Sequence, residues 1–470
     1  MLILDRNSKT PLYLQIYEQI REKIISGKLH ALSRLPSIRQ QSDTLGVSIN
    51  TVTLAYQQLC SEGYITSKNR SGFYAEKIDD QLLNLRSRTG KQSPALETKK
   101  DAQEPHCKYD FSYGNLSPQD FPLSIWRKLS NQLLTSSNLD HICSYPDRRG
   151  EAGLRKAIMQ YLHDSRGVFC EPEQIVICPG TQIALNLVCQ LLKQEHSCIA
   201  MEDPGYDGAR VVFHNNGLEI IPIGLEKDGL RLRDLEGCKA KLVYTTPSHQ
   251  FPTGKIMPIK KRIRLLEWAF KNNAMIIEDD YDSELKYSGK PIPSIQHIDA
   301  KGHVVYLGTF SKSLSPALRM SYMVMPKTHI KKYQETFERY NTPVPWLDQK
   351  LMQNFITKGY WDRHLRRIRN ANKKRHDVLI QAINETMGEK VAVHGINAGL
   401  HILLEFKAPG SEMEMIKKAM NHGVRVYPVS EFWMRSEKYK NNMVLLGFSR
   451  MDENEIAEGI KTLDQAWFKN

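Results

Sequence analysis

Between residues 11 and 25 the apolar positions Leu12, Ile16, Ile20 and Ile24 recur every fourth residue, which predicts an amphipathic helix opened by Pro11 and stopped at Gly27. A second helix is predicted after Pro36-Ser37, through residues 38–42, with Gly46 as its stop. Ser48 can cap a third, over residues 50–59. Two short helices joined around Gly46-Val47-Ser48 have the proportions of a helix-turn-helix. Residues 64–75 read as a two-stranded hairpin with basic residues at its tip, a wing. From about 78 to 108 the periodicity stops, and polar stretches punctuated by Pro and Gly have the composition of a linker. Beyond it, short apolar runs at 174–178, 242–245, 274–277 and 304–307 alternate with long helical patterns. That alternation predicts an α/β domain with a mainly parallel sheet. The expected organisation is therefore a winged helix-turn-helix over 1–77, a flexible linker over 78–108 and an α/β body over 109–470.

Composition narrows the class. A chain of 470 residues with 41% hydrophobic and 25% charged residues has material for two or three domains with substantial cores. Mean hydropathy is −0.46, and no apolar run approaches the ~20 residues of a membrane span. The N-terminus lacks the layout of a signal peptide, so a cytoplasmic protein is expected. Eight cysteines without any C-x-x-C pair read as reduced, mostly buried thiols, not as a disulfide frame or a zinc site. The net charge of +13 permits a polyanionic partner, although charge alone does not separate that from solubility.

The first 77 residues hold ten Lys/Arg against six Asp/Glu, a net of +4. Arg34, Arg39, Lys68 and Arg70 lie at the edges of the recognition unit, and Ser48, Asn50 and Thr51 open the third helix. That helix start is where base edges and phosphates are met. The string Pro11-Leu-Tyr-Leu-Gln-Ile, Leu35-Pro-Ser-Ile-Arg39, Leu45-Gly-Val-Ser48, Ala55-Tyr-Gln-Gln-Leu59 and Glu62-Gly-Tyr64 resembles the winged helix-turn-helix of GntR-type bacterial transcription regulators. The resemblance implies that Arg34, Ser37, Arg39, Ser48, Asn50, Thr51, Lys68, Arg70 and Gly72 face double-stranded operator DNA. Ile49 departs from the arginine the family usually has after the serine.

A second signal follows the run at 304–307, in Gly308-Thr-Phe-Ser-Lys-Ser-Leu-Ser-Pro-Ala-Leu-Arg319. A lysine preceded by hydroxyl residues and followed seven positions later by arginine suits an aldehyde cofactor bearing a phosphate. The run Ile276-Ile-Glu-Asp-Asp-Tyr281 ends in carboxylates where α/β ligands usually bind, and strand geometry puts Asp279 and Tyr281 on one face with Asp280 on the other. Pro179-Gly-Thr-Gln182 is a strand-to-helix turn suited to phosphate, and Tyr206 is an aromatic available for stacking.

Together these motifs resemble fold-type I pyridoxal-phosphate enzymes of the class I aminotransferase kind, over roughly 110–468. By that resemblance Lys312 is the Schiff-base lysine, Asp279 the partner of the pyridine nitrogen, Tyr281 the ligand of the ring oxygen and Tyr206 the stacking ring. Gly180, Thr181, Gln182, Thr309, Ser311 and Arg319 hold the phosphate, and Tyr145 reaches the neighbouring subunit's phosphate, which implies a homodimer. A GntR head on an aminotransferase-like body is the architecture of the MocR subfamily, which Thr246-Pro-Ser-His-Gln-Phe-Pro-Thr-Gly254 and Glu278-Asp-Asp-Tyr-Asp-Ser-Glu284 also resemble.

The enzyme pattern breaks in two places. Phe251 stands where aminotransferases usually have asparagine, and Leu445 where an arginine clamps the substrate carboxylate; Glu431 and the unpositioned Arg425 lie near in sequence. Three readings follow: a regulator whose body reports pyridoxal 5'-phosphate or an amine adduct of it, an aminotransferase with a DNA-binding appendage, and a DNA-binding protein whose body only dimerises. The breaks favour the first, a regulator without turnover. The effector is then the cofactor itself, with an amino acid or related amine as the alternative.

Overall fold

A computed structural model describes residues 2–69, 71–78, 107–287, 292–407 and 410–469. It divides into two compact units, Met1–Glu104 and Pro105–Asn470. Arg70 and nearly all of the expected linker lie outside the described residues.

The N-terminal unit contains α1 (Leu12–Ile25), α2 (Ile38–Leu45), α3 (Ile49–Ser61), β1 (Ile65–Lys68) and β2 (Gly72–Ala75). Ile16, Ile20 and Ile24 are buried against Val52, Ala55, Tyr56 and Leu59 of α3, while Leu12 at the open end is only half-buried. Ser37 and Ser48 both cap helices: their hydroxyls accept from the amides of Gln40 (3.2 Å) and Thr51 (3.1 Å). Gly46 closes α2 at φ 60°, a left-handed cap that costs a glycine little. The helix runs to Leu45 and stops at Gly46, as expected. The wing pairs β1 with β2 from Ile65↔Ala75 to Lys68↔Gly72. Residues 32–35 add to it, with Leu32 and Leu35 amides donating to the Ala75 and Phe73 carbonyls. The hydrophobic pattern carries no trace of this third segment, since only Leu35 in it is buried.

The body is built on eight strands: β3 (Ile175–Cys178), β4 (Cys198–Asp203), β5 (Glu219–Glu226), β6 (Gly229–Leu230), β7 (Leu242–Thr245), β8 (Met275–Asp280), β9 (Val304–Thr309) and β10 (Ser321–Val324). Their order is β3-β10-β9-β8-β7-β4-β5-β6. Neighbours are parallel except at β10, antiparallel to both β9 and β3, and at β6. Both faces are covered, as a parallel sheet requires. Along β4, Ile199 and Met201 pack with Ala184 and Leu185, whereas Cys198 and Ala200 pack with Leu265 and Ala269. Those residues come from α5 (Thr181–Leu192) and α6 (Ile259–Lys271); α4 (Ala152–Arg166) precedes β3. A second, antiparallel sheet of order β11-β12-β14-β13 follows, from Val391–His394, His401–Phe406, Met443–Gly447 and Tyr427–Pro428. It shares a core with α7 (Tyr360–Thr386) and α8 (Glu453–Phe468). Only Cys178, Cys189 and Cys198 are buried and Cys143 is exposed, so the expectation of mostly buried thiols does not hold. Cys178 and Cys198 lie on β3 and β4 and Cys189 on α5, all within the apolar clusters packed against the sheet.

Candidate cofactor cavity and DNA-binding head

The carboxyl ends of β7, β8 and β9 and the turn after β3 open on one cavity of about 280 Å³. It is lined by Lys312, Asp279, Tyr281, Tyr206, Thr181, Gln182, Thr309, Ser311 and Arg319, and also by Tyr113, Gly114, Tyr244, Thr246 and Phe251.

Lys312 follows β9, and its Nζ lies 3.8 Å from the centroid of the Tyr113 ring. A Cβ on Gly114 would come within 3.3 Å of that Nζ, so the glycine leaves room for the amine. Burial pushes the Lys312 amine down to about 8, against the opposing pull of Asp282 and Asp279. Asp279, at the end of β8, accepts from the Tyr244 hydroxyl through Oδ2 at 2.7 Å. Its Oδ1 is buried and has no partner. Burial pushes this carboxyl up to about 7, with the Tyr244 hydrogen bond working the other way. Asp280, on the opposite face, is held below the usual carboxylate range against its burial by the Arg166 guanidinium, 2.7 Å away, and by the Tyr306 hydroxyl.

Gly180 has φ 99° and forms the N-terminal boundary of α5. A Cβ there would come within 2.4 Å of Arg319 Nη2. The first amides of a helix have no intrahelical acceptors, so Thr181 and Gln182 offer N–H groups beside that guanidinium. Thr309 Oγ1 donates to Ser311 Oγ at 3.1 Å and accepts from the Ser311 amide at 3.2 Å. An unpaired carboxylate oxygen, an amine that loses its proton more readily than an ordinary lysine and an arginine beside free helix amides form a donor set that fits a pyridine ring carrying an aldehyde and a phosphate.

Not every expected residue comes here. Tyr145 is 86% exposed and is not among the lining residues. Glu431 is exposed and its backbone carbonyl accepts from Arg210; Arg425 pairs along Asp110 in a short strand. Neither lines the cavity. Phe251 lines the cavity, Leu445 does not, and both belong to an apolar cluster with Tyr281, Leu403 and Val429. Tyr113, Gly114 and Tyr244 escaped the motif reading. Tyr244 alone carried a signal, since it sits near the carboxyl end of the strand that pairs with the one bearing Asp279.

In the head, Arg39 and Asn50 are exposed, and Ile49 is 51% exposed at the mouth of α3. Arg34 lies against the wing, where a Cβ on Gly72 would meet its Nε at 3.2 Å. Lys68 Nζ sits 5.0 Å from the Tyr74 ring centroid.

Residues 12–75 match the gntR family of bacterial regulatory proteins, and residues 110–463 match the class I and II aminotransferases. The chain is 41% identical to YdeL of Bacillus subtilis (strain 168), an uncharacterized HTH-type transcriptional regulator, over 99% of this chain and 98% of YdeL. It is 32% identical to MocR of Rhizobium meliloti, a probable rhizopine catabolism regulatory protein, over 99% and 96%. The chain belongs to the MocR-type regulators.

A further relative, the HTH-type pyridoxine biosynthesis transcriptional regulator PdxR of Corynebacterium glutamicum, is 29% identical over 97% of this chain and 96% of its own. The chain is also similar to the multiple substrate aminotransferase of Thermococcus profundus: TM-score 0.70, 27% identity, 82% of this chain and 97% of that one. The aminotransferase family is pyridoxal-phosphate-dependent. As a MocR-type protein this chain is a transcription regulator with a DNA-binding head and an aminotransferase-like body. Among the described residues no helix is long and apolar enough to cross a membrane.

Proposed function

We propose that this regulator binds pyridoxal 5'-phosphate at Lys312 and reports the cofactor's supply to operator DNA. The observation that carries the reading is the buried, unpartnered Oδ1 of Asp279 in the cavity that also holds the Lys312 amine. When bound, the cofactor would supply an aldehyde for the amine and a protonated ring that withdraws electrons. Asp279 would keep a ring N–H in place, and that hydrogen bond would return its carboxyl to the ionised form. Gly180, Thr181, Gln182, Thr309, Ser311 and Arg319 would hold the phosphate, Tyr206 would stack on the ring and Tyr281 would face its oxygen.

The apolar wall supports sensing over turnover. Phe251, Leu403, Val429 and Leu445 are buried where a substrate carboxylate would need a cation, and an unpaired carboxylate there is costly. His401 does not replace the arginine, because burial pushes its imidazole down to about 3. The cofactor itself is thus the effector, in a cytoplasmic homodimer whose exposed Tyr145 reaches the partner's phosphate site. The linker over 78–108 joins body and head, and Arg34, Ser37, Arg39, Ser48, Asn50, Thr51, Lys68, Arg70 and Gly72 form the DNA face. A ligand shifts a conformational equilibrium only by its differential affinity for the two states.

The test is operator affinity of apoprotein, of protein with the cofactor, and of protein with the cofactor plus a panel of amino acids, each with an absorption spectrum. A visible band lost in a Lys312→Ala variant and a change in affinity with cofactor alone are expected. A response that requires a particular amino acid would identify an amine sensor instead.

A further inference from the structure

Behind Tyr281 lies a cluster that cofactor binding leaves unused. His249, from the motif Thr246–Gly254, and Asp282 are both about 2% exposed, and His249 Nδ1 lies 2.7 Å from Asp282 Oδ2. The same Nδ1 is 3.1 Å from the Tyr281 hydroxyl, which itself donates to the His249 carbonyl at 2.8 Å. The ring is boxed in, because a Cβ on Gly399 would come within 2.2 Å of its Cε1 and 2.7 Å of Asp282 Oδ2. A carboxylate acceptor at 2.7 Å fixes the proton on Nδ1. That N–H is then shared between Asp282 and the Tyr281 oxygen, and a hydroxyl that accepts a hydrogen bond becomes a better donor.

We propose that the His249–Asp282 pair is a positioning device for Tyr281, holding its oxygen as an acceptor so that its proton can turn from the His249 carbonyl to an oxygen in the cavity. The inference rests on the cofactor reading, in which that oxygen belongs to the cofactor ring. His249 and Asp282 touch Tyr281 and act through it. Asp282 has a second effect, as the foremost carboxylate raising the proton affinity of the Lys312 amine against its burial. A bare structural staple between residues 246–254 and 281–287 would need the contact with Asp282 but not the one with the Tyr281 hydroxyl.

The experiment compares full-length wild type with His249→Gln, Asp282→Asn, Tyr281→Phe and the double variant His249→Gln/Tyr281→Phe. Absorption maximum, cofactor release rate and melting temperature are recorded for each. Asp282→Asn is isosteric but can donate to Nδ1, which moves the imidazole proton to Nε2 and takes the shared N–H from Tyr281. The three single variants are expected to shift the visible band in the same direction and to speed release about fivefold to tenfold, the effect of one lost hydrogen bond. The double variant should be no worse than Tyr281→Phe alone. Additive losses in the double variant, or variants that melt earlier with an unchanged band, overturn the inference. If the histidine variants do not fold, an unchanged band in Tyr281→Phe is sufficient to overturn it. A wild type that takes up no colour sinks the cofactor reading itself, and this inference with it.

Discussion

The guanidinium of Arg319 lies where a side chain at Gly180 would have to be, 2.4 Å from the Cβ that an alanine would introduce. Gly180→Ala therefore meets two obstacles: a backbone conformation (φ 99°, ψ 158°) that is almost confined to glycine and costs another residue about 1–3 kcal/mol, and a clash that pushes the arginine off the α5 amides. The expected outcome is cofactor affinity weakened roughly tenfold to a hundredfold, from loss of a charge-assisted contact of about 1.5–3 kcal/mol. Titration of apoprotein followed in the visible checks it, and unchanged affinity would remove Arg319 from the phosphate site.

The Lys312 amine must be neutral to attack an aldehyde. Its proton is lost near pH 8, well below the ordinary lysine range, so at pH 7 about a tenth of the apoprotein is reactive. The rate of cofactor uptake should rise through pH 7–9 and level above. Asp282→Asn removes a charge that favours the protonated amine, so its curve should move to lower pH. Stopped-flow absorption across this range tests both; a flat profile, or an Asp282→Asn curve displaced to higher pH, contradicts the assignment.

For the head, Arg39→Ala should weaken operator binding by about 1–3 kcal/mol if the side chain reads a base. Lys68→Ala should mainly lower the slope of log K against log salt by about 1, as for one lost phosphate contact. Both follow from fluorescence anisotropy on operator DNA at several salt concentrations. Specific binding by a fragment that lacks residues 1–77 would contradict the division of labour.

Leu445 is 1% exposed and packed on Phe251, Tyr281 and Leu403. Restoring the arginine of an aminotransferase at this one position should not restore a carboxylate clamp. Leu445→Arg buries an unpaired cation among apolar neighbours, and about 3 kcal/mol or more of stability should be lost. A normal melting temperature with newly acquired amino-acid binding would show that the wall adapts, and would favour the enzyme reading.

Much of this was legible in the sequence because it is local. Ile16, Ile20 and Ile24 announce a buried face by their spacing, Gly46 announces the end of α2, and the apolar runs coincide with β3, β7, β8 and β9 to within three residues. What was missed is non-local. Residues 32–35 join the wing through backbone hydrogen bonds that any side chains would allow, so no periodicity marks them. Tyr113 and Gly114 reach Lys312 across some two hundred residues of chain. His249 looks like an ordinary polar residue until the fold sets Asp282 and Tyr281 against its ring.

The antiparallel strand β10, inserted between the edge strand β3 and β9, has a geometric result. Because β10 starts beside the point where β9 ends, residues 310–320 form one short return loop, and Ser321 pairs with Cys178 just before the Gly180 turn. Lys312 and Arg319 are therefore carried on the same eleven-residue span, its two ends pinned to adjacent strands. The amine and the guanidinium cannot drift apart independently. One proteolytic nick or insertion in that loop would disable the covalent anchor and the ionic anchor together.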